Sequence, residues 1–254
     1  MKPPEAEKII YGVHPVLEAL RQQGDCLEEV MMARGGRGRW FEEVKRLAQR
    51  YGVRFRLVEP AWLARVAGPV HHQGILARTC GYRYLPEADL LARLSEAGDA
   101  ALTVAADCLQ DPMNLGNLLR TAAAVGVQGV LIPKDRAVGV TSTVAKAAAG
   151  ALAHIPVCRV TNLTDALARL KEIGLWVIGA EAEAPQTIYG ADLRGPLALV
   201  IGSEGRGLRP RVRQACDRVL AIPMAAGKIG SLNAATAGAV LLYEVFRQRL
   251  AATS

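Results

Sequence analysis

Cysteine is scarce in this chain and unpaired in its pattern. The five cysteines (Cys26, Cys80, Cys108, Cys158 and Cys216) are odd in number, widely spaced and never arranged as Cys-x-x-Cys, and the four histidines add no zinc spacing. A disulfide framework and a structural zinc site are thereby excluded, and thiols of a reducing compartment are the better reading. His71 and His72 are adjacent, so on a strand they point to opposite faces, and without companion ligands no metal is expected. Phe and Trp are also few, at three each, so the core must be built mainly from Ala, Val and Leu. No apolar run reaches the roughly 18 residues of a membrane span. No signal-peptide apolar stretch follows the opening residues 1–8, and a cytoplasmic protein is expected. Internal repeats and low-complexity tracts are missing as well.

What is present is a chain of 254 residues, 51% apolar, with a net charge of +7. That length suits one large domain, or a small one joined to a medium one. The charge is unevenly spread: residues 1–85 hold 14 Lys/Arg against 9 Asp/Glu, an excess of +5, which leaves +2 for the rest. Within this basic part, Arg34, Arg37 and Arg39 cluster on a glycine-rich stretch. Such a stretch is either a solvated turn or a loop contacting phosphates, since closely spaced arginines bind nucleic acid without regard to sequence.

The patterning predicts an α/β protein in two parts. In the first, helical spacing runs over 10–20, with Pro15 tolerable only in an early turn, and over 40–51, ended by Gly52. Strands are expected at 30–33, 53–58 and 74–80. This domain spans 1–80, and 81–99 forms a linker in which 89–97 has helical character. The second domain, 100–254, has buried-strand runs at 101–107, 129–133, 175–179, 197–201 and 219–222. Helical patterns lie at 115–125, 141–153, 163–173, 208–216 and 232–250. Continuous apolar strands separated by helices predict a mostly parallel sheet covered on both faces.

Three motifs stand where such strands end and helices begin, the place open α/β sheets reserve for ligands. In the first, Asn114 or Asp111 is able to cap the helix that follows, and Arg120 lies about 240° around that helix from Asn114. The second, Gly202-Ser-Glu-Gly-Arg-Gly207, has glycines that admit close approach to the backbone. Its spacing is not the dinucleotide fingerprint, which disfavours a nicotinamide dehydrogenase. Glu204 there disfavours a bound phosphate and suits a ligand with a cationic centre. The third runs from Ile222 to Ser231-Leu-Asn233, where Ser231 is a good cap for the last helix. Taken singly, each is explained as well by capping and turn formation.

Taken together and in this order, Asn114…Arg120, Gly202…Glu204…Gly207 and Ile222-Pro-Met…Ser231-Leu-Asn233 resemble the three signature motifs of SpoU-type (TrmH-like) RNA ribose 2′-O-methyltransferases. Ile10-Tyr-Gly-Val-His14, Val70-His-His-Gln-Gly-Ile75, Pro133-Lys-Asp-Arg136 and Arg159-Val-Thr-Asn162 are similar to the subgroup that methylates a guanosine in 23S ribosomal RNA.

The resemblance implies a C-terminal SPOUT domain whose chain passes through a trefoil knot, a rarity among proteins. It implies binding of S-adenosylmethionine, a homodimer with the site at its interface, and a small N-terminal RNA-binding domain. Cofactor contacts fall on Gly202, Ile222 and Leu232, largely through the backbone. Asn114, Glu204, Ser231 and Asn233 arrange the methyl-transfer site, and Arg120 meets the RNA across the interface, while Arg34, Arg37 and Arg39 become RNA contacts. Arg120 serves either as a base or, since arginine stays protonated, as a positioner of phosphate and of developing charge.

This chain departs from the family pattern in two places. Ala225 and Ala226 both precede Gly227, one residue more than usual, and Asn233-Ala-Ala replaces a helix start that ordinarily carries a hydroxyl. A transfer-RNA 2′-O-methyltransferase is the alternative within the class. An RNA-binding or ribosome-assembly protein without catalysis is the alternative outside it, and the presence of Asn114, Arg120, Glu204 and Asn233 argues against that.

Overall fold

The computed structural model describes residues 9–23, 27–35, 39–79, 82–205, 207–225 and 230–253. The chain divides into two compact units, Met1–Tyr84 with Gly139–Ser142, and Leu85–Val138 with Thr143–Ser254.

The first unit runs β1 (Ile9–Tyr11), α1 (Val13–Gln23), β2 (Leu27–Ala33), α2 (Arg39–Arg50), β3 (Arg54–Val58), α3 (Pro60–Ala67) and β4 (Ile75–Thr79). Its sheet has the order β1-β4-β2-β3, with β4 antiparallel to both neighbours and β2 parallel to β3. The two-residue period of β2 divides the core. Val30 and Met32 join Val16 and Leu20 of α1 and Val44 and Leu47 of α2. Met31 faces the other way, onto Val58, Leu63 of α3 and Leu76. Two of the quoted motifs meet here: Gln73 Oε1 accepts a hydrogen bond from Val13 N at 2.9 Å, and Gly12 N donates to Ile75 O at 3.3 Å. The expected helix over 10–20 is in fact a short strand followed by α1, with Pro15 in its first turn, where a missing N–H costs nothing. Helix α3 is not among the expected elements; Pro60 at its first position starts it.

The second unit opens with α4 (Glu87–Ala97) and continues β5 (Leu102–Ala106), α5 (Pro112–Ala124), β6 (Gly129–Pro133), α6 (Ser142–Ala148), β7 (Val157–Val160) and α7 (Leu163–Glu172). Then follow β8 (Trp176–Ala180), β9 (Gln186–Thr187), β10 (Leu197–Ile201), α8 (Pro210–Ala215), β11 (Arg218–Ala221) and α9 (Ala234–Thr253). Residues 81–99 do not behave as a plain linker: Leu90 and Leu94 of α4 are fully buried and belong to the core of this unit. Strands β7 and β9 also lie outside the expected set.

The seven strands have the order β7-β6-β5-β10-β8-β11-β9, and every pairing is parallel. All residues of β5, β6 and β10 are buried, as a sheet covered on both faces requires. Leu90, Leu167, Leu170 and Val212 of α4, α7 and α8 share one core with Ala105, Val177 and Val200 of the sheet. Elsewhere α5 packs on α9, where a side chain at Gly238 would overlap Leu118.

Chain order explains where a site can form. From β5 the chain moves outward through β6 to β7, then crosses to β8, leaving a slot that β10 fills later. The C-terminal ends of β5 and β10 therefore flank the point where the winding reverses, and loops diverge there to leave a crevice. Among the described residues no helix is long and apolar enough to cross a membrane.

Candidate active site

The crevice holds a cleft of about 630 Å³, lined by residues 108–111 after β5, Asn114, Arg136, Ser203, Glu204 and residues 207–210 after β10. Two of its lining residues, Asn114 and Glu204, belong to a hydrogen-bonded cluster with Asn233 that joins the three motifs. Asn114 Nδ2 donates to Glu204 Oε1, and Asn233 Nδ2 donates to the same oxygen at 2.7 Å and to Asn114 Oδ1 at 2.9 Å.

Local structure sets each of these side chains. Asp111 caps α5, its Oδ1 accepting from Met113 N at 2.8 Å, with Pro112 in the first helical position. Asn114 is thus released from capping; it is 5% exposed and turns its amide to Glu204. The cap of α9 is Asn233 and not the expected Ser231: Asn233 Oδ1 accepts from Ala235 N at 2.9 Å and Thr236 N at 3.2 Å. Because the carbonyl end of that amide is committed to the helix, its NH₂ end must face Glu204 and Asn114. One side chain both starts a helix and orients the site.

Glu204 stands on a loop that folds back on itself. Ser203 and Gly207 exchange backbone hydrogen bonds at 3.1 and 3.0 Å. A Cβ at position 202 would overlap the backbone of Gly207 and come within 2.6 Å of Leu208 N, so only glycine permits the turn. Gly202 is buried two residues before Glu204, and Leu232 is half-buried beside Asn233. Ile222 is half-buried just past the end of β11, on the same edge of the sheet. None of these three lines the cleft, although all follow the C-terminal ends of strands of the parallel sheet or the loops after them.

Other expected residues are not drawn into the cluster. Ser231 is exposed, and Arg120 lies on the exposed side of α5, with no hydrogen bond or ion pair to a described residue. In the first unit, Arg34 is exposed and pairs loosely with Glu59 at 3.5 Å. Arg37, the side chain of Arg39, and Ala226 and Gly227 of the lengthened loop lie outside the described residues, and Ala225 is exposed.

The sequence reading missed several cleft residues. Asp107, fully buried at the end of β5, accepts from Arg209 N at 2.8 Å and from Arg209 Nε at 2.6 Å, and its own N–H donates to Ile201 O at 2.7 Å. This clasp ties the end of β5 to the loop after β10. An aspartate closing an otherwise apolar strand was its visible signal. Burial and the neighbouring Asp107 carboxylate push the Cys108 thiol up. No group of His, Cys, Asp and Glu among the described residues could hold a metal.

Fold and site together define an open, parallel α/β protein with its ligand crevice at the topological switch point. The sequence model of the SpoU rRNA Methylase family matches residues 101–243, and that of the RNA 2′-O ribose methyltransferase substrate binding domain matches residues 9–85. The chain belongs to the SpoU rRNA methylase family. It is 42% identical over 243 residues to the 23S rRNA (guanosine-2′-O-)-methyltransferase RlmB of Xanthomonas campestris, covering 96% of this chain and 97% of that one. To the RlmB of Shewanella oneidensis it is 38% identical over 243 residues, covering 96% and 98%. Among solved structures it is similar to the SpoU methyltransferase AviRb of Streptomyces viridochromogenes in complex with AdoMet, with TM-score 0.60, 26% identity and coverage of 96% and 91%.

Proposed function

We propose that this protein transfers the methyl group of S-adenosylmethionine to the ribose 2′-oxygen of a guanosine in 23S ribosomal RNA, as a cytoplasmic homodimer with a knotted C-terminal domain. The observation that carries the reading is the Asn114–Glu204–Asn233 cluster, which joins three distant motifs at the switch point. Extensive similarity to RlmB enzymes over both units supports the choice of RNA.

S-adenosylmethionine supplies an activated methyl group; the chain has to hold it, exclude water and orient the ribose. The tight 202–207 turn and the backbone at Ile222 and Leu232 are the holding groups. Glu204, fixed by two amides, would complement the positive charge of the cofactor's sulfonium. The 2′-oxygen forms the new bond to the methyl carbon as the carbon–sulfur bond breaks, and its proton leaves to solvent or a neighbouring base. Arg120, which remains protonated, positions the RNA and stabilises charge developing on that oxygen.

Two features support a dimer. Helix α9 buries Leu241, Leu242 and Val245 and leaves Tyr243 and Leu250, seven residues apart on one face, each 54% exposed, with Arg247 between them. Large apolar side chains exposed on one face mark a surface that a partner covers. Arg120 moreover is exposed and makes no hydrogen bond to the cluster of its own chain, as expected of a residue acting in a partner's site.

The test is a map of 2′-O-methyl groups in ribosomal and transfer RNA from cells with and without this protein. Loss of one guanosine mark in 23S rRNA is expected. Loss of a transfer-RNA mark instead, or of none, overturns the assignment.

A further inference from the structure

Two of the quoted motifs, 133–136 and 159–162, have no part in the methyl-transfer cluster, yet the structure joins them. Lys134 N donates to Val160 O at 2.8 Å, and Arg159, 9% exposed, donates from Nη2 to Lys134 O at 2.9 Å. Four residues on, Val138 N donates to Leu109 O at 2.8 Å, stitching the far end of the loop to the segment after β5. Between these pins stands Arg136, with φ at 60°, a left-handed conformation strained for an arginine. Cys108, on the segment to which the loop is stitched, is held likewise at φ 61°. Strain kept by surrounding hydrogen bonds concentrates where a side chain must be presented in one direction.

That direction is the cleft, which Arg136 lines together with Asn114 and Glu204. The charges there do not suit a polyanion without it. Arg209 is neutralised by Asp107, Asp111 is spent on capping α5, and Glu204 adds a further negative charge. Among the described residues that line the cleft, Arg136 is the cation without an ion pair and is placed to meet an anionic oxygen.

We propose that Arg136 is an oxyanion anchor of the cleft, binding a backbone phosphate of the RNA beside the methylated ribose. This rests on the methyltransferase reading given above. A planar guanidinium matches a phosphate through two parallel hydrogen bonds, and a nucleotide whose ribose reaches Asn114 and Glu204 brings a phosphate on either side. The carboxylate of S-adenosylmethionine is the other source of the same chemistry, and the two are separable.

Three full-length variants test it: Arg136→Gly, which removes the cation and relaxes the backbone, Arg136→Ala and Arg136→Lys. With a 23S rRNA transcript as probe, Arg136→Gly and Arg136→Ala are expected to raise the RNA dissociation constant and KM about tenfold. They should also make the slope of log affinity against log salt shallower by about 0.7, the value of one single-strand phosphate contact. Arg136→Lys should keep the slope. S-adenosylmethionine affinity by calorimetry should stay within twofold in all three. Unchanged RNA affinity and slope in Arg136→Gly overturns the proposal, as does a loss confined to S-adenosylmethionine. Should the wild type bind the transcript without methylating it, the functional reading falls, while the change in slope still decides the role of Arg136.

Discussion

The two sheets of this molecule place their polar chemistry differently. In the seven-stranded parallel sheet the central strands β5, β6 and β10 are buried on both faces and carry no charged side chain, so charge appears where strands stop: Asp107 after β5, Glu204 after β10. The four-stranded mixed sheet ends in an edge strand, β3, whose Arg54 and Arg56 are exposed and share the buried Glu29 of β2 at 3.9 and 3.3 Å. A two-faced sheet concentrates function at a point, which suits a small cofactor and one reacting ribose. A sheet with a free edge spreads charge along a surface, which suits a polyanion. The buried carboxylates show the same contrast. Asp107 has two short hydrogen bonds from one arginine, whereas Glu29 has one longer hydrogen bond from the exposed Arg56 and a loose ion pair with the exposed Arg54.

The largest effect that sharpens this contrast is expected at Arg120. Replacing it with alanine should cut methyl transfer by about 10³-fold, near 4 kcal/mol of transition-state stabilisation, with S-adenosylmethionine affinity by calorimetry within twofold. Near-normal turnover would remove Arg120 from the site. Next comes stability. Asp107→Ala leaves Arg209 without its buried partner and should lower the urea unfolding free energy by about 3 kcal/mol, against about 1 kcal/mol for Glu29→Ala. Equal losses would mean that the two carboxylates do not differ as their geometry indicates. Smaller again is Asn233→Ser. Serine keeps the cap of α9, so the melting temperature should hold, but the amide donors to Glu204 and Asn114 are lost and turnover should fall about 30-fold, roughly 2 kcal/mol. Asn233→Ala should lose a further ~1 kcal/mol of stability with the cap. If serine restored turnover, capping alone would be the role of Asn233. The smallest effect belongs to the first unit. Changing Arg34, Arg37 and Arg39 together to alanine should weaken RNA binding several-fold at moderate salt and flatten its salt dependence, with kcat at saturating RNA unchanged. A fall in kcat instead would break the division between a surface that binds and a crevice that reacts.

Much of the fold was legible because burial on two faces leaves a plain signature. The apolar runs at 101–107, 129–133, 175–179 and 197–201 correspond to β5, β6, β8 and β10 within a residue or two. Less visible were short elements fixed by neighbours. Three-residue β1 exists because β4 pairs with it, and two-residue β9 because β11 does. The helical character expected at 89–97 corresponds to α4, but that its Leu90 and Leu94 are buried in the core of the larger unit was not visible in a segment expected to be a linker. At the site, Asn114, Glu204 and Asn233 were singled out from their motifs, but their mutual bonds span up to 119 residues of sequence and leave no local trace. Capping was the point most open to exchange. Asp111 and Asn114 were equal candidates at one helix, and Ser231 stood in for Asn233 at the other, because serine, asparagine and aspartate cap with similar strength.

The sequence by itself determined the class of fold, the long buried strands of the larger unit and most of the helices between them, the residue types offered to a cofactor and an RNA, and membership in a methyltransferase family. These are local matters: periodicity, turn chemistry and short motifs survive in one dimension. Tertiary structure alone decided that β10 enters between β5 and β8, that one asparagine amide both caps α9 and holds Glu204, and that Asp107 clasps Arg209. It also decided that the 134–138 loop is pinned so as to present Arg136 to the cleft. The physical reason is common to all four. Each depends on which groups the fold brings within hydrogen-bonding reach of one another, however far apart they are in the chain, and the fully buried carboxylate of Asp107 had to find its donors in this way.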